Sequence, residues 1–360
     1  MRTTLQRRRV WVGLLLLLLL AGGCSPPEKT EVRVLFAGSL IIPFADLEAA
    51  YEAAHPDVDV LMEGHGSIQC IRHVTELDDP ADVVAVADHA LIPLLMYDTL
   101  EPESGEPYAD WYVEFATNEL TLAYTDQSKY GDEINVENWY EVASRPDTRL
   151  GLSDPRFDAA GYRGLMAFQL AEIHYDDPHI FDQAFGGRFQ SPIRARPDDD
   201  GRWIIRVPEI VQPKDDSGII VRGGSIQLIA LLESGDIDYA FEYESVSRQH
   251  GFHYVRLPSI VNLGSAEHAS TYEQVEVQLD FQRFASVDPR FVGKTIGYGI
   301  TIPVNAPHPE EAADLVAFLL GPEGQAVMEA NYHPLTTPPR ADNLDAVPAS
   351  VSELCVPLEP

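Results

Sequence analysis

Apolar and polar positions along the chain repeatedly follow one order: a short buried strand, a turn of small residues, and then a helix. Residues 32–36 have the pattern of a strand, and Phe44, Leu47 and Tyr51 recur at helical spacing after the turn at residues 37–39. Ser39 is predicted to cap this helix at the carboxyl end of the strand. Because a helix N-terminus presents unpaired N–H groups and the positive end of the helix dipole, such a position suits an oxyanion.

The same order occurs twice more. Residues 57–62 alternate like a strand, and Ser67 opens a helix after the turn at residues 64–66. Residues 219–222 have the pattern of a strand that is followed by two glycines, Ser225 and an apolar helix ending at Gly235. Any one of these units is ordinary in an α/β protein. Since parallel strands end at the same edge of a sheet, the repetition favours helix N-termini that meet at one site.

The first 23 residues have a different pattern. Four arginines precede an apolar run at residues 10–20, which ends in Leu20-Ala21-Gly22-Gly23-Cys24. This predicts a secretory signal over residues 1–23 rather than a membrane-spanning anchor, because the apolar run is too short to span a bilayer. The Leu-Ala-Gly-Gly-Cys sequence resembles a bacterial lipoprotein box, which implies cleavage before Cys24 and lipidation of its thiol. Residues 24–31 are then a polar tether.

Composition narrows the class of partner. The chain has 57 acidic and 25 basic residues and a formal charge of −32, which argues against nucleic acid as a partner. The same charge repels anions at long range, so an anion site in this chain has to act through short-range hydrogen bonds. Cys70 and Cys355 are the cysteines that follow Cys24, and the sequence leaves open whether they form a disulfide or stay free.

Two other classes of protein are alternatives. A secreted lipoprotein hydrolase would use a serine nucleophile, but no serine lies in a Gly-x-Ser-x-Gly turn, and no histidine pair has the His-x-x-x-His spacing of a metal site. A surface adhesion lipoprotein would have no need of three serines at strand ends. A binding protein for a small anion accounts for these serines, and we therefore expect no enzyme activity.

Several short motifs occur in a fixed order along the chain. They are Phe36-Ala37-Gly38-Ser39-Leu40, Gly66-Ser67, Ala81-Asp82-Val83, Asn138-Trp139-Tyr140, Gly161-Tyr162-Arg163, Leu232-Glu233-Ser234-Gly235, Ser245-Val246 and Tyr298-Gly299-Ile300-Thr301-Ile302-Pro303. By their order and number, the chain resembles the tungstate- and molybdate-binding proteins of ABC importers, in particular the branch best known from archaea. The resemblance implies an α/β, two-lobed type II periplasmic-binding-protein fold with the ligand in the cleft between the lobes.

The resemblance also implies how the chain is organised and where it works. Lobe I is expected at residues 31–116 and 300–347, lobe II at residues 117–299, and a C-terminal tail at residues 348–360. The implied partners are an oxyanion and an ABC permease. The implied location is outside the cytoplasm, with the protein anchored to the cell membrane through lipidated Cys24. We expect a monomer that binds its ligand without a cofactor.

The family's ligand-binding residues correspond to particular positions here. Ser39 and Ser67 are expected to donate hydrogen bonds to the anion, and Tyr243 contributes a third hydroxyl. Asp158 corresponds to a carboxylate that can ligate the metal centre of the bound anion. The second carboxylate of the family, a Glu, is missing, because Ser225 stands at its position, or Gln227 if the alignment shifts by two.

Two further carboxylates flank Tyr243 in the sequence. Glu242 and Glu244 are candidates to replace the missing Glu, but strand alternation points them away from the face of Tyr243, so we take the second carboxylate to be lost. A hydroxyl donor in its place favours a tetrahedral anion held by hydrogen bonds. Asp158 is then protonated, turned away to cap its own helix, or bound to the metal. Tungstate and molybdate are the leading ligands, and sulfate-like or phosphate-like anions are the alternative.

Overall fold

The computed structural model of the protein describes residues 29–280 and 289–359. The predicted signal at residues 1–23 and the predicted lipidation site Cys24 lie outside the described residues. The described chain forms sheets of seven, five and four strands with helices packed on them. One lobe is built on the seven-stranded sheet and the other on the two smaller sheets, so the predicted two-lobed α/β architecture is confirmed.

The seven-stranded sheet draws on both ends of the chain. Its strands are, in spatial order, β16 (Val356–Pro357), β15 (Leu335–Ala341), β4 (Val113–Thr117), β14 (Gly297–Thr301), β3 (Val83–Val86), β1 (Thr30–Ala37) and β2 (Val58–His65). The strand β1 is parallel to both β2 and β3. The helix α1 (Ile41–Ala54) connects β1 to β2, and the helix α2 (Ser67–Glu76) connects β2 to β3. Ala37 pairs in register with His65, so β1 and β2 end side by side.

The second lobe contains the two smaller sheets. The five-stranded sheet has the order β11 (His253–Arg256), β5 (Leu120–Tyr124), β10 (Tyr239–Tyr243), β6 (Leu150–Ser153) and β9 (Ile219–Arg222). Its parallel strands β6 and β9 lead into the helices α4 (Ala159–Tyr175) and α6 (Ile226–Ser234). The four-stranded sheet has the order β13 (Arg290–Val292), β12 (Val275–Leu279), β8 (Trp203–Val207) and β7 (Arg194–Pro197). The strands β7 and β8 pair antiparallel.

The remaining helices are short or lie near the C-terminus. They are α3 (Trp139–Ala143), α5 (Ile180–Phe185), α7 (Glu244–Gln249), α8 (Ala269–Tyr272), α9 (Pro309–Leu320), α10 (Pro322–Ala330) and α11 (Ala349–Ser352), with 3-10 turns at Gly38–Leu40 and Ala266–His268 and a π-helical turn at Pro93–Tyr97. The most deeply buried helix is α4, whose residues 159–172 are all buried. It is the central element of the second lobe, and its N-terminus faces the other lobe.

The chain passes between the lobes twice. The first passage is at residues 118–119, between β4 of one sheet and β5 of the other. On the return, the Ile296 amide donates to the Leu263 carbonyl just before β14 begins at Gly297. The C-terminal segment expected as a tail belongs partly to the first lobe, since Val356 and Pro357 pair with Arg340 and Ala341.

One detail of the fold settles an alternative that the sequence left open, and another differs from the sequence-based expectation. Cys70 and Cys355 are both free, Cys70 being buried within α2, so the disulfide alternative is not realised. Ser39 does not cap α1 but lies in the 3-10 turn before it, and Leu40 is the capping position. Within residues 29–280 and 289–359, no helix combines the length and the apolar character needed to cross a membrane.

Candidate functional site

The two lobes touch where the strands β1 and β2 end. Gly66, just before α2, lies so close to the Phe157 carbonyl of the second lobe that a side chain at this position would collide with it. The Ile68 amide donates to the same carbonyl at 3.1 Å. At the end of β1, a Cβ atom at Gly38 would lie 3.3 Å from the Cβ of Ile226. Glycine at both turns therefore allows the backbones of the two lobes to approach closely.

The Ser39 hydroxyl lies on this contact zone and is buried. It is 2.9 Å from the Tyr298 hydroxyl, which also accepts a hydrogen bond from the Asn118 side-chain amide at 3.2 Å. Burial raises the pKa of Tyr298 to about 12, so its proton stays in place. Either hydroxyl can be the donor between Ser39 and Tyr298, and when the phenol donates, the Ser39 hydrogen is left for another acceptor.

The Ser67 hydroxyl is arranged in the same way. Ser67 is the first residue of α2 and is fully buried, and its oxygen accepts a hydrogen bond from the Ala87 amide at 3.1 Å. Since the oxygen is already an acceptor, the hydroxyl hydrogen is free to donate. Sequence reasoning placed Ser67 correctly at the start of a helix, but the role of Ala87 becomes visible only in the fold.

Tyr243, at the end of β10, contacts a buried cation. The Arg163 guanidinium donates to the Tyr243 hydroxyl at 2.7 Å and to the Ala87 carbonyl at 2.7 Å. It also forms an ion pair with Asp88 at 3.3 Å. Burial opposes the charge of Arg163, but Tyr243 and Asp88 outweigh this and raise its pKa, so Arg163 is a permanent cation at the site. The Tyr243 hydrogen is free to donate, as in Ser39 and Ser67.

Asp158 is the N-cap of α4 and is held by backbone amides. Its Oδ1 accepts from the Ala160 amide at 3.3 Å, and its Oδ2 accepts from the Ser225 amide at 2.6 Å. Burial raises the pKa of Asp158, while these two amides and the Ser153 side chain act in the opposite direction. Of the three alternatives for Asp158, the structure shows the capping arrangement.

Ser225 precedes α6 and stands between two carboxyl groups. Its amide is used by Asp158, and its hydroxyl forms no capping hydrogen bond with its own helix. Glu242 lies on its other side and is completely buried. Burial and the neighbouring Asp158 raise the pKa of Glu242 far above its usual value, and the Ser225 side chain partly opposes this shift. Glu244, by contrast, pairs with Arg256 and accepts a hydrogen bond from Tyr254.

The structure thus brings all five predicted residues to one zone between the lobes. Ser39 and Ser67 come from the first lobe, and Asp158, Ser225 and Tyr243 come from the second. Contrary to expectation, none of the three serines caps a helix with its side chain, which leaves their hydroxyls available. Sequence reasoning did not assign Arg163, Tyr298 or Asn118 to the site. The motif Gly161-Tyr162-Arg163, which is part of the resemblance, was a sequence signal from which Arg163 could have been assigned to the site.

The arrangement can do one kind of chemistry well. Buried hydroxyl groups and one guanidinium charge lie where the lobes meet, and such donors stabilise an oxyanion through charge-assisted hydrogen bonds. Within the described residues, no group of three or more His, Cys, Asp or Glu side chains is placed to hold a metal ion. The donors at the site are complementary to an anion with oxygen acceptors.

Comparison with known proteins identifies the class. Residues 32–332 match the family of bacterial extracellular solute-binding proteins, and the chain belongs to this family. It is 38% identical over 328 residues to an uncharacterised solute-binding protein of Methanoculleus marisnigri, with 91% of this chain and 87% of the relative covered.

A second relative is more informative about the ligand. The molybdate/tungstate-binding protein WtpA of Pyrococcus abyssi is 36% identical over 350 residues, and 95% of each chain is covered. The resemblance inferred from the sequence motifs is thereby confirmed. The family and its structural neighbours are binding proteins rather than enzymes, and they work outside the cytoplasm.

Solved structures support the fold. The periplasmic molybdate-binding protein of Azotobacter vinelandii superposes with a TM-score of 0.53 at 14% identity, covering 85% of this chain and 99% of that one. A periplasmic thiamin-binding protein superposes with a TM-score of 0.50 at 14% identity, covering 87% of each chain. These matches establish the periplasmic-binding-protein fold for this chain.

Proposed function

We propose that this protein captures tungstate or molybdate outside the cytoplasm and delivers it to an ABC permease. The observation that carries the proposal is a set of three buried hydroxyls where the lobes meet. At Ser67 and Tyr243 a protein N–H group already donates to the oxygen, so each hydrogen is left for another acceptor, and Ser39 shares with Tyr298 a hydrogen bond in which either hydroxyl can donate. A fully ionised tetrahedral oxyanion has only acceptors to offer and is complementary to such a site.

The similarity to the Pyrococcus abyssi relative supports tungstate and molybdate as the ligands. Asp158 bears on how the metal centre is coordinated. Both oxygens of Asp158 already accept backbone amides, and Ser225 stands where the family's second carboxylate is expected. We therefore propose that the anion stays tetrahedral and is held by hydroxyl and amide donors, without carboxylate ligands on the metal.

A second candidate ligand follows from the same geometry. A site of donors without a metal-ligating carboxylate pair does not distinguish tungstate from sulfate by coordination, so a sulfate-like or phosphate-like anion is the alternative. Hydrogen-bearing phosphate is the less favourable of the two, because its proton needs an acceptor and the oxygens of Asp158 are engaged.

The experiment is a thermal-shift screen followed by calorimetry on the protein without its predicted signal. A ligand that binds only the native state raises the melting temperature by mass action. Tungstate and molybdate should give the largest shifts, sulfate a smaller one and phosphate the smallest. A screen in which sulfate or phosphate wins and tungstate is inert would reject the assignment of the ligand. A screen without any shift would reject the anion site itself.

The location and the organisation of the lobes are part of the same proposal. We infer that the lobe built on the seven-stranded sheet moves as one unit against the lobe built on the two smaller sheets, so that an open form admits the anion and the closed form presents it to the permease. Attachment through lipidated Cys24 would keep the monomer beside that permease, and several acyl chains are needed because one binds a membrane weakly. In cell fractionation, Cys24→Ser should move the protein from the membrane to the soluble fraction.

A further inference from the structure

A buried carboxyl group without a partner lies beneath the site. Glu242 is on β10 in register with Thr121 of the neighbouring strand, and its side chain has no exposed surface. Within the described residues, neither of its carboxyl oxygens has a hydrogen-bond partner of ordinary geometry. An ionised carboxylate in this position would be far more costly than a protonated one, because nothing compensates its charge.

The groups around Glu242 can be named from each element that packs near it. Asp158 at the start of α4 and Ser225 before α6 both act on its carboxyl group. Asp158 in turn interacts with Ser153 at the end of β6 and with Arg163 further along α4. Cys70 of α2, whose pKa is raised by burial, also feels the charge of Asp158. Asp158 is thus the charge that acts directly on Glu242, and it is negative.

The other hydroxyls of the site show what Ser225 lacks. The oxygens of Ser67 and Tyr243 each accept from a protein N–H group, and the oxygen of Ser39 is contacted by the Tyr298 hydroxyl. In each case the donor fixes the direction of the remaining hydrogen. The Ser225 amide is committed to Asp158, and the group placed beside its side chain is Glu242.

We propose that Glu242 carries a proton in the anion-bound protein and donates it in a hydrogen bond to the Ser225 hydroxyl, which then directs its own hydrogen at an oxygen of the anion. This inference rests on the proposed function and adds a fourth oriented hydroxyl to it. Glu242 is then a positioning residue that acts through Ser225 without touching the ligand. A carboxylic acid kept neutral by an apolar site is a recognised hydrogen-bond donor in proteins.

The proposal predicts how affinity depends on pH. Loss of the Glu242 proton removes the donor to Ser225 and places a negative charge near an anion, and both effects weaken binding. Anion affinity should therefore fall as the pH rises through the pKa of Glu242. The bound dianion itself favours the protonated form, so the pKa of Glu242 is higher in the complex than in the free protein, and the affinity falls between these two pKa values.

The test compares tungstate binding by calorimetry from about pH 6 to about pH 9.5 in the wild type and in Glu242→Gln, a range that spans a strongly raised carboxyl pKa. Glutamine keeps the shape and always donates, so we expect it to bind within about threefold of the wild type near pH 6 and to lose the fall at high pH. Glu242→Leu removes the donor, and we expect it to weaken binding about fivefold at every pH. Glu233→Gln, a change at an exposed carboxylate on α6, is the matched control and should follow the wild type.

Ser225→Ala provides the second, independent test. Since Glu242 acts through the Ser225 hydroxyl, the difference between glutamine and leucine at position 242 should vanish when Ser225 is also alanine. If Glu242→Gln keeps the pH dependence of the wild type, or if the difference persists without the serine, the role of Glu242 is refuted. If the wild type binds no oxyanion at any pH, the proposed function fails and not this inference alone. Should a Glu242 variant fail to fold, Ser225→Ala decides the question: the high-pH fall should shrink to the part caused by the charge of Glu242, and an unchanged fall would refute the role of Glu242.

Discussion

The two sides of the site orient their hydroxyls by different means. In the first lobe, the contacting groups are neutral: Tyr298, which accepts from Asn118, shares a hydrogen bond with Ser39, and the Ala87 amide donates to Ser67. In the second lobe, they are charged or ionisable, since Arg163 directs Tyr243 and Asp158 takes the amide of Ser225. Anion binding by the first-lobe hydroxyls should therefore change little with pH and salt over a wide range. Binding by the second-lobe hydroxyls depends on a balance of buried charges.

The difference indicates where specificity lies. In a chain of formal charge −32, a neutral set of donors can hold an anion only at short range, and it does so for any oxyanion of the right size. The second-lobe side supplies the Arg163 cation, which offsets the negative charge of the surrounding acidic residues. It also supplies the carboxyl groups, which disfavour an anion that fits poorly or carries a hydrogen. Variants on the two sides should accordingly fail in different ways.

The largest effect is expected for Arg163→Met. This change removes a buried guanidinium and leaves Asp88, whose side chain is 14% exposed, without its ion-pair partner, which should destabilise the protein by about 3–5 kcal/mol. Tungstate affinity should fall by more than about tenfold, because Tyr243 loses the donor that orients it. Denaturant unfolding and calorimetry measure the two effects, with Arg206→Met on the exposed face of β8 as the control. A folded Arg163→Met protein with wild-type affinity would contradict the role of the charged side.

A second effect concerns the stability of the protein in acid. His333 is buried against Ser245, and burial lowers its pKa to about 4. Its depressed pKa means that the unfolded chain takes up the proton first. Stability is therefore lost as the pH falls below the ordinary histidine pKa of about 6.5, by about 3 kcal/mol at most.

His333→Gln, which stays neutral, should reduce this acid dependence. Urea unfolding near pH 7 and near pH 4.5 provides the measurement, since these values bracket the window. His174→Gln, a change at a histidine for which the structure shows no comparable burial, should leave the slope unchanged. An equal acid slope in wild type and His333→Gln would assign the acid sensitivity to other groups.

Removal of a single first-lobe hydroxyl should have an intermediate effect. Ser39→Ala and Ser67→Ala each take away one donor to a charged oxygen, and each should weaken tungstate about tenfold in calorimetry. Because these donors are neutral, the loss should be the same at low and high pH and similar for sulfate. Ser270→Ala, at an exposed serine, serves as the control. A loss confined to tungstate would show that the first side discriminates between anions after all.

The smallest effect is expected for Asp158→Asn. The structure engages both carboxylate oxygens with amides, so Asp158 acts as a nearby negative charge, and its removal should tighten tungstate and sulfate alike by a few-fold. If tungstate weakens far more than sulfate, Asp158 ligates the metal. X-ray absorption on the tungstate complex decides directly, because six oxygen neighbours in two shells would refute the tetrahedral anion and point to Glu242 as a ligand.

Much of this site could be predicted from strand ends. Ser39, Ser67 and Ser225 each follow an apolar strand and a small turn. Because parallel strands end at the same edge of a sheet, residues in such positions are expected to lie near one another. Asp158 was placed by its motif and by its capping position. What the sequence suggested and the structure did not show is side-chain capping by the serines. In the fold the Ser39 hydroxyl contacts Tyr298, and the Ser67 hydroxyl accepts from the Ala87 amide.

The remaining groups depend on contacts between distant segments. Asn118 and Tyr298 lie on the two passages between the lobes, 180 positions apart, and their hydrogen bond exists only when both passages are formed. Strand alternation predicts that Glu242 points away from the face of Tyr243. It could not show that the starts of α4 and α6 pack beside Glu242, because alternation describes one strand and not its neighbours.

The bonds of Arg163 have a kinetic consequence. This side chain belongs to the second lobe, but it bonds to the Ala87 carbonyl and to Asp88, which follow a strand of the first. Separation of the lobes must break these contacts and expose an ion pair to water before the ligand can leave. The residence time of the anion should therefore be set by the rate at which the lobes part, and variants that weaken this cross-link should accelerate dissociation more than they slow capture.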